Sequence, residues 1–267
     1  MIATVRTNAA VMMKGHYTPP APRTPRSVNL PRAGGLTTQT SLLRRLALID
    51  PDGRPVGFTW RYDRAELVAD GVVHAAGVAL GIIGATILLI NASAAADRTG
   101  LVSVAIYSAG LLAMLCFSAA YNLWPVSPAK WLLRRLDHSA IYLLIAATYT
   151  PFVLQLKSGE AATALLIGIW LTAAIGIALK LLMPGRFDRL AVGLYLVLGW
   201  SGIIVTDAII SALPPSALGL LIAGGLLYTA GVVFHLWHSL RFQNAIWHAF
   251  VLLAAACHYS AVFAGVG

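Results

Sequence analysis

Glu66, Asp70 and His74 follow one another at four-residue spacing inside an apolar run. Three further groups of polar side chains recur inside apolar stretches: Ser118 with Asn122, Asp137 with His138, and Asn244 with His248. Carboxylates and imidazoles are the side chains that move protons or hold ions, and an ionisable group in hydrocarbon costs several kcal/mol unless it meets partners or water, so each is a functional candidate by default. A four-residue step turns a helical side chain through only about 40°, which makes Glu66, Asp70 and His74 one stripe. Gly77, Gly81 and Gly84 continue near that face, and small residues let another helix approach, so the stripe is expected to face the interior of a bundle. All four groups lie at the same end of their runs, and convergence on one polar pocket near one membrane face is the expectation.

The elements that position these groups follow from composition. With 58% hydrophobic and 11% charged residues among 267 and a mean hydropathy of +0.77, the chain has too little polar surface for a soluble globule. Runs long enough to cross about 30 Å of hydrocarbon fall at Leu67 to Ile90, Leu101 to Trp124, Asp137 to Leu156, Ala161 to Met183, Leu190 to Ile210, Ala217 to Leu236 and Ala245 to Gly267. The expectation is an all-α, polytopic membrane protein with seven transmembrane helices. The fifth and sixth spans are the least regular, because Gly recurs in both and only the loop at Pro214-Pro215 parts them.

Ten of the nineteen Lys and Arg precede the first span, and Lys130, Arg134, Arg135, Lys180, Arg186, Arg189 and Arg241 share that side, leaving Arg98 and Lys157 for the other. This bias places the amino terminus in the cytoplasm and, with seven spans, the carboxyl terminus outside a plasma membrane. The net charge of +9 belongs to a rim facing membrane lipids and gives no reason to invoke nucleic acid. Residues 1–60 form a basic cytoplasmic arm, with no acid before Asp50 and the Pro-rich run TPPAPRTPR; residues 1 to about 40 read as disordered. Ser41 to Ile49 reads either as a short amphipathic helix on the inner leaflet or as a solvated linker. Residues 61–267 form the membrane domain. Cys116 and Cys257 read as buried apolar fillers without chemistry. His258, about 15 Å deeper than His248 along its helix, is not expected to reach the pocket, and His16, His235 and His238 are expected to be solvated.

The stretches ELVADGVVHAAG, SAAYN, RRLDHSAIYLLIAATYTPF, GGLLYTAGVVFH and FQNAIWHAFVLLAAACHYSAV resemble, in order, the motifs of the hemolysin III family, which belongs with the progestin and adipoQ receptors. The resemblance covers roughly residues 60 to 267. It implies a seven-helix bundle with a cytoplasmic amino terminus and, in metal-bearing relatives, a zinc site near the cytoplasmic end. There a Ser and an Asp assist water-mediated hydrolysis of a lipid amide, beside one His four residues after that Ser and two His four apart on the last helix. Carried over, Ser118 takes the place of the Ser, Asp137 of the Asp and His248 of one ligand.

The other two ligand positions hold Asn122 and Asn244. A neutral amide oxygen is a poor zinc ligand, so a metal-free polar pocket ranks above an ion held by His248 with His74, Asp137 or His138. Structural readings stand beside these: Asp137 as a carboxylate at a helix start, Ser118 and Asn122 as interhelical hydrogen-bonders, His74 as a packing residue. Two functions remain open. One is a pocket that binds lipid or serves permeation; the other is a metal-dependent hydrolase of a lipid amide or ester. Protein partners are not legible.

Overall fold

The computed structural model describes residues 62–95, 98–125, 127–155, 160–183 and 187–266, which are helical apart from short connections. The expectations for the arm, for Ser41 to Ile49, and for His16, Lys157 and Arg186 lie outside the described residues. The helices are α1 (Arg64–Ala94), α2 (Arg98–Leu123), α3 (Pro128–Gln155), α4 (Glu160–Leu182), α5 (Asp188–Trp200), α6 (Thr206–Ala212), α7 (Pro215–Leu236) and α8 (Gln243–Val266), with a 3₁₀ turn at Ser201–Val205 between α5 and α6.

Helix α1 begins at a capping box. Asp63 Oδ1 accepts from the Glu66 amide at 2.8 Å, and Glu66 Oε2 accepts from the Asp63 amide at 2.9 Å, which satisfies two donors that the helix start leaves open. Its inward stripe is Asp70, His74, Gly77, Gly81, Ala85, Leu88 and Ala92. Val68, Val72, Ile82, Ile83 and Ile90 are exposed on the other faces. That is the pattern of a helix that turns polar and small residues to its neighbours and aliphatics to lipid. Gly77 and Gly81 lie against Leu115 of α2, and Gly84 against Tyr259 of α8.

Helix α2 packs between α1 and α3, α8 between α1 and α7, and α4 against α3. The main core gathers Leu88, Val104, Tyr107, Leu111, Met114, Leu144, Ala255 and Val262. Among the described residues, six stretches are long and apolar enough to cross a membrane: α1, α2, α4, Leu190–Ala212, α7 and Gln243–Gly265. Helix α3 is the exception. It starts at Pro128, about two and a half turns before the expected Asp137, and its first half carries Lys130, Arg134, Arg135, Asp137 and His138. Neighbours bury its Tyr142, Ala146, Ala147, Thr148 and Thr150, so this helix is shielded from lipid and needs less apolarity than the outer ones.

The irregularity expected around the fifth span is a break. Helix α5 ends at Trp200, the 3₁₀ turn follows, and α6 completes the stretch Leu190–Ala212. Free backbone groups are costly where water is absent. Tyr149 of α3 meets them with its hydroxyl, which donates to the Gly199 carbonyl at 2.7 Å and accepts from the Gly202 amide at 2.8 Å. Helices α5 and α8 are each preceded by a phenylalanine with positive φ, Phe187 at 61° and Phe242 at 60°, a conformation that costs a non-glycine residue roughly 1 kcal/mol or more. Cys116 is exposed rather than buried, and Cys257 is half-buried; Cys116 sits on the lipid side of α2, where a small apolar group needs no partner.

Candidate functional site

Helix α5 touches α3 and α7 at few points, and the space left among α3, α5, α7 and α8 is a cavity of about 760 Å³. Its polar end is lined by Glu66, Asp70, Ser118, Asn122, Asp137, His138, Asn244 and His248. Ile141, Leu144, Ile145, Leu196, Val232 and Val251 line the middle, and Trp200, Tyr228, Thr229 and His258 the far end. Of the residues expected to gather, only His74 does not line this cavity; it lines a separate void of about 20 Å³ with His248 and Ser118.

Two carboxylate–imidazole groups stand at the polar end. Asp70 is 5% exposed and sits between two imidazoles: Oδ1 lies 2.6 Å from His248 Nδ1, and Oδ2 lies 3.6 Å from His74 Nε2. The rings of His74 and His248 are 4.4 Å apart. The i,i+4 register of α1 sets Asp70 beside His74, and the packing of α8 on α1 brings His248. The second group is Asp137 with His138, whose Nδ1 is 3.5 Å from Asp137 Oδ2; the Asp137 carboxylate also feels Ser118 and His248. Asp70, His74 and His248 offer ligand atoms that all lie within 4.8 Å of one another. His138, expected as a fourth candidate ligand, is not in that group because it follows Asp137 on α3 and turns to it.

The remaining expectations separate. Asn122 Nδ2 donates to the Ser118 carbonyl at 3.0 Å, which folds that side chain back along its own helix. Glu66 is engaged at both oxygens: besides the capping box, its Oε1 accepts from the Phe242 amide at 3.0 Å, tying α1 to the turn that opens α8. Its contacts are those of a strap at the mouth. His258 and His235 correct the sequence reading. His258 lines the far end of the cavity, because the cavity runs deep along α8 rather than stopping at the polar end. His235 is half-buried against Trp247 instead of solvated. His238 is exposed, as expected.

Some site residues were legible only as charge. Lys130 Nζ donates to the carbonyls of Asn122 and Trp124 at 3.2 and 2.8 Å, closing the carboxyl end of α2. Arg134 and Lys180, both buried, reach Asp188 at 2.8 and 2.7 Å. Asp188 lies just ahead of the span Leu190–Ala212. Burial alone would raise its carboxyl, but the two cations more than offset this and hold it at about 2. The one signal available was an acid placed in an otherwise basic loop.

This arrangement is a membrane helix bundle with a polar-ended internal cavity. The profile of the Haemolysin-III related family matches residues 65–259, and the chain belongs to that family, within the progestin and adipoQ receptors. It is 36% identical over 197 residues to the hemolysin-3 homolog of Bacillus subtilis (strain 168), covering 74% of this chain and 92% of that one. Identity to hemolysin-3 of Bacillus cereus is also 36% over 197 residues, 74% of this chain and 90% of that one. To the human monocyte to macrophage differentiation factor it is 34% over 166 residues, 59% and 68% of the two chains.

The three-imidazole zinc set implied by the resemblance does not fit these residues. Two of its positions are amides, whose neutral oxygens are poor zinc donors, and Asn122 is folded back along its own helix.

Proposed function

We propose that this chain is a seven-span protein of the plasma membrane, amino terminus cytoplasmic and carboxyl terminus outside, whose cavity holds one membrane amphiphile. The amphiphile's polar head would meet Asp70, His248 and Asn244, and its hydrocarbon would follow the aliphatic wall toward Trp200. The observation that carries this reading is the division of one cavity into a polar end and an apolar body, since such a site satisfies both halves of an amphiphile. Helix α3 supplies the seventh crossing in this reading, and the clustered Lys and Arg set its direction. A reporter fused after Gly267 should read as external and one inserted at 125–130 as cytoplasmic; an internal carboxyl terminus would remove the seven-span count.

The adjacency of Ser118, Asp137 and His248 favours a second reading, hydrolysis of a lipid amide or ester. Here Asp137 or His248 would take the proton from water while Ser118 orients the substrate carbonyl. Lipid extraction of the purified chain followed by mass spectrometry tests the first reading. About one amphiphile per chain is expected from one cavity of this size, and Val232→Trp, which fills the middle of the cavity, should displace it. Equal lipid content in both proteins would refute the cavity as the binding place. Recovery of cleaved product from a supplied lipid amide, lost in Asp137→Asn, would favour the hydrolase.

A further inference from the structure

We propose that Asp70, His74 and His248 form a binding site for one divalent transition-metal ion of the zinc class, set on α1 and α8 rather than on the positions where Asn122 and Asn244 stand. Two imidazole nitrogens and one carboxylate oxygen, from helices that already pack together, are a donor set that zinc takes up with water in the fourth position. Ligand bonds of about 2.0–2.2 Å in a tetrahedron put donor atoms about 3.3 Å apart. Taken one per residue, the ligand atoms of Asp70, His74 and His248 already lie within 4.8 Å of one another. Small side-chain adjustments therefore open the site without moving a helix.

Two further observations point to a ligand. His74 Nε2 is buried with no hydrogen-bond partner, on a residue only 6% exposed; leaving such a nitrogen unmet is costly, and an ion or water meets it. Beside it lies the void of about 20 Å³ bounded by His74, His248 and Ser118, room for one ion or one water. Imidazole donors select zinc and its neighbours over magnesium or calcium, which prefer all-oxygen shells. Asp70 and His248 also line the large cavity, so a fourth, exchangeable position would face whatever occupies it. Among the described residues, Asp137 and His138 do not gather with a third ligand within the same reach, which is why the ion belongs to α1 and α8.

The test uses the full chain in detergent, stripped with chelator, and then loaded with zinc or with cobalt(II) as a spectroscopic probe. One equivalent of zinc by elemental analysis is expected, together with cobalt ligand-field bands of a tetrahedral nitrogen–oxygen site. Asp70→Asn, His74→Gln and His248→Gln should each weaken binding at least about 100-fold, since even loss of an outer partner costs 10–100-fold. His138→Gln, Asn122→Ala and Asn244→Ala should leave it unchanged. No tight zinc and no cobalt bands in the wild type would overturn the site, and this result does not depend on any variant folding. Metal retained in His74→Gln and Asp70→Asn would mark it as adventitious. Lipid content measured on the same samples separates this site from the amphiphile reading, because either can fail alone.

Discussion

Asp70 and Asp188 are built alike and placed differently. Each carboxylate stands between two basic groups: Asp70 between His74 of its own helix and His248 of α8, Asp188 between Arg134 of α3 and Lys180 of α4. The partners of Asp188 are permanent cations at the rim, where water still reaches the carboxylate. Those of Asp70 are imidazoles in the bundle interior, and an imidazole can give up its proton and offer a lone pair. The same arrangement therefore serves as a fixed rivet joining α3, α4 and α5 in one case and as an exchangeable site in the other.

Breaking the rivet should have the larger effect on folding. Asp188→Asn removes the carboxylate that the buried Arg134 and Lys180 share, and thermal unfolding in detergent should show a loss of roughly 2 kcal/mol, discounted from the ~3–5 of a fully buried pair because Asp188 is partly solvated. Its carboxyl is held at about 2, below the ordinary value near ~3.9. The stability it supplies is therefore fully present above about pH 4 and lost as pH falls toward 2. An Asp188→Asn protein that kept the wild-type acid profile would show that the rivet is not this residue. Glu66→Gln should cost about 1 kcal/mol, since one of its charge-assisted bonds to the Asp63 and Phe242 amides is lost. In metal-free protein, His74→Gln should change stability by less than about 1 kcal/mol, because its Nε2 has no hydrogen bond to lose. A larger loss there would mean that the inner cluster is also a rivet.

Much of this was readable before folding was considered. The four-residue spacing of Asp70 and His74 put them on one inward face, and the apolar runs located the helices, because both signals are local and repeat along a helix. The partners of Asp188 were not readable: Arg134 lies 54 residues away in sequence, and a cation at a membrane rim looks the same whether it is paired or solvated. His248 lies 178 residues from Asp70, so the cluster depends on the packing of α8 onto α1, which no local pattern records. The reach of His258 into the cavity was missed for a related reason, since depth along one helix says nothing about how far an adjoining void extends. The early start of α3 at Pro128 was missed because a hydropathy window discounts a basic turn that is nevertheless helical.

The most direct test of the difference between the two clusters is thermal unfolding of chelated protein with zinc added back, for wild type, Asp188→Asn and Asp70→Asn. Binding to the folded state adds about 2.7 kcal/mol at a ligand concentration 100 times Kd. The wild-type midpoint should rise accordingly, Asp188→Asn should rise by the same increment from a lower start, and Asp70→Asn should not move. A rise that persists in Asp70→Asn, or disappears in Asp188→Asn, would contradict the assignment of the exchangeable site to Asp70, His74 and His248.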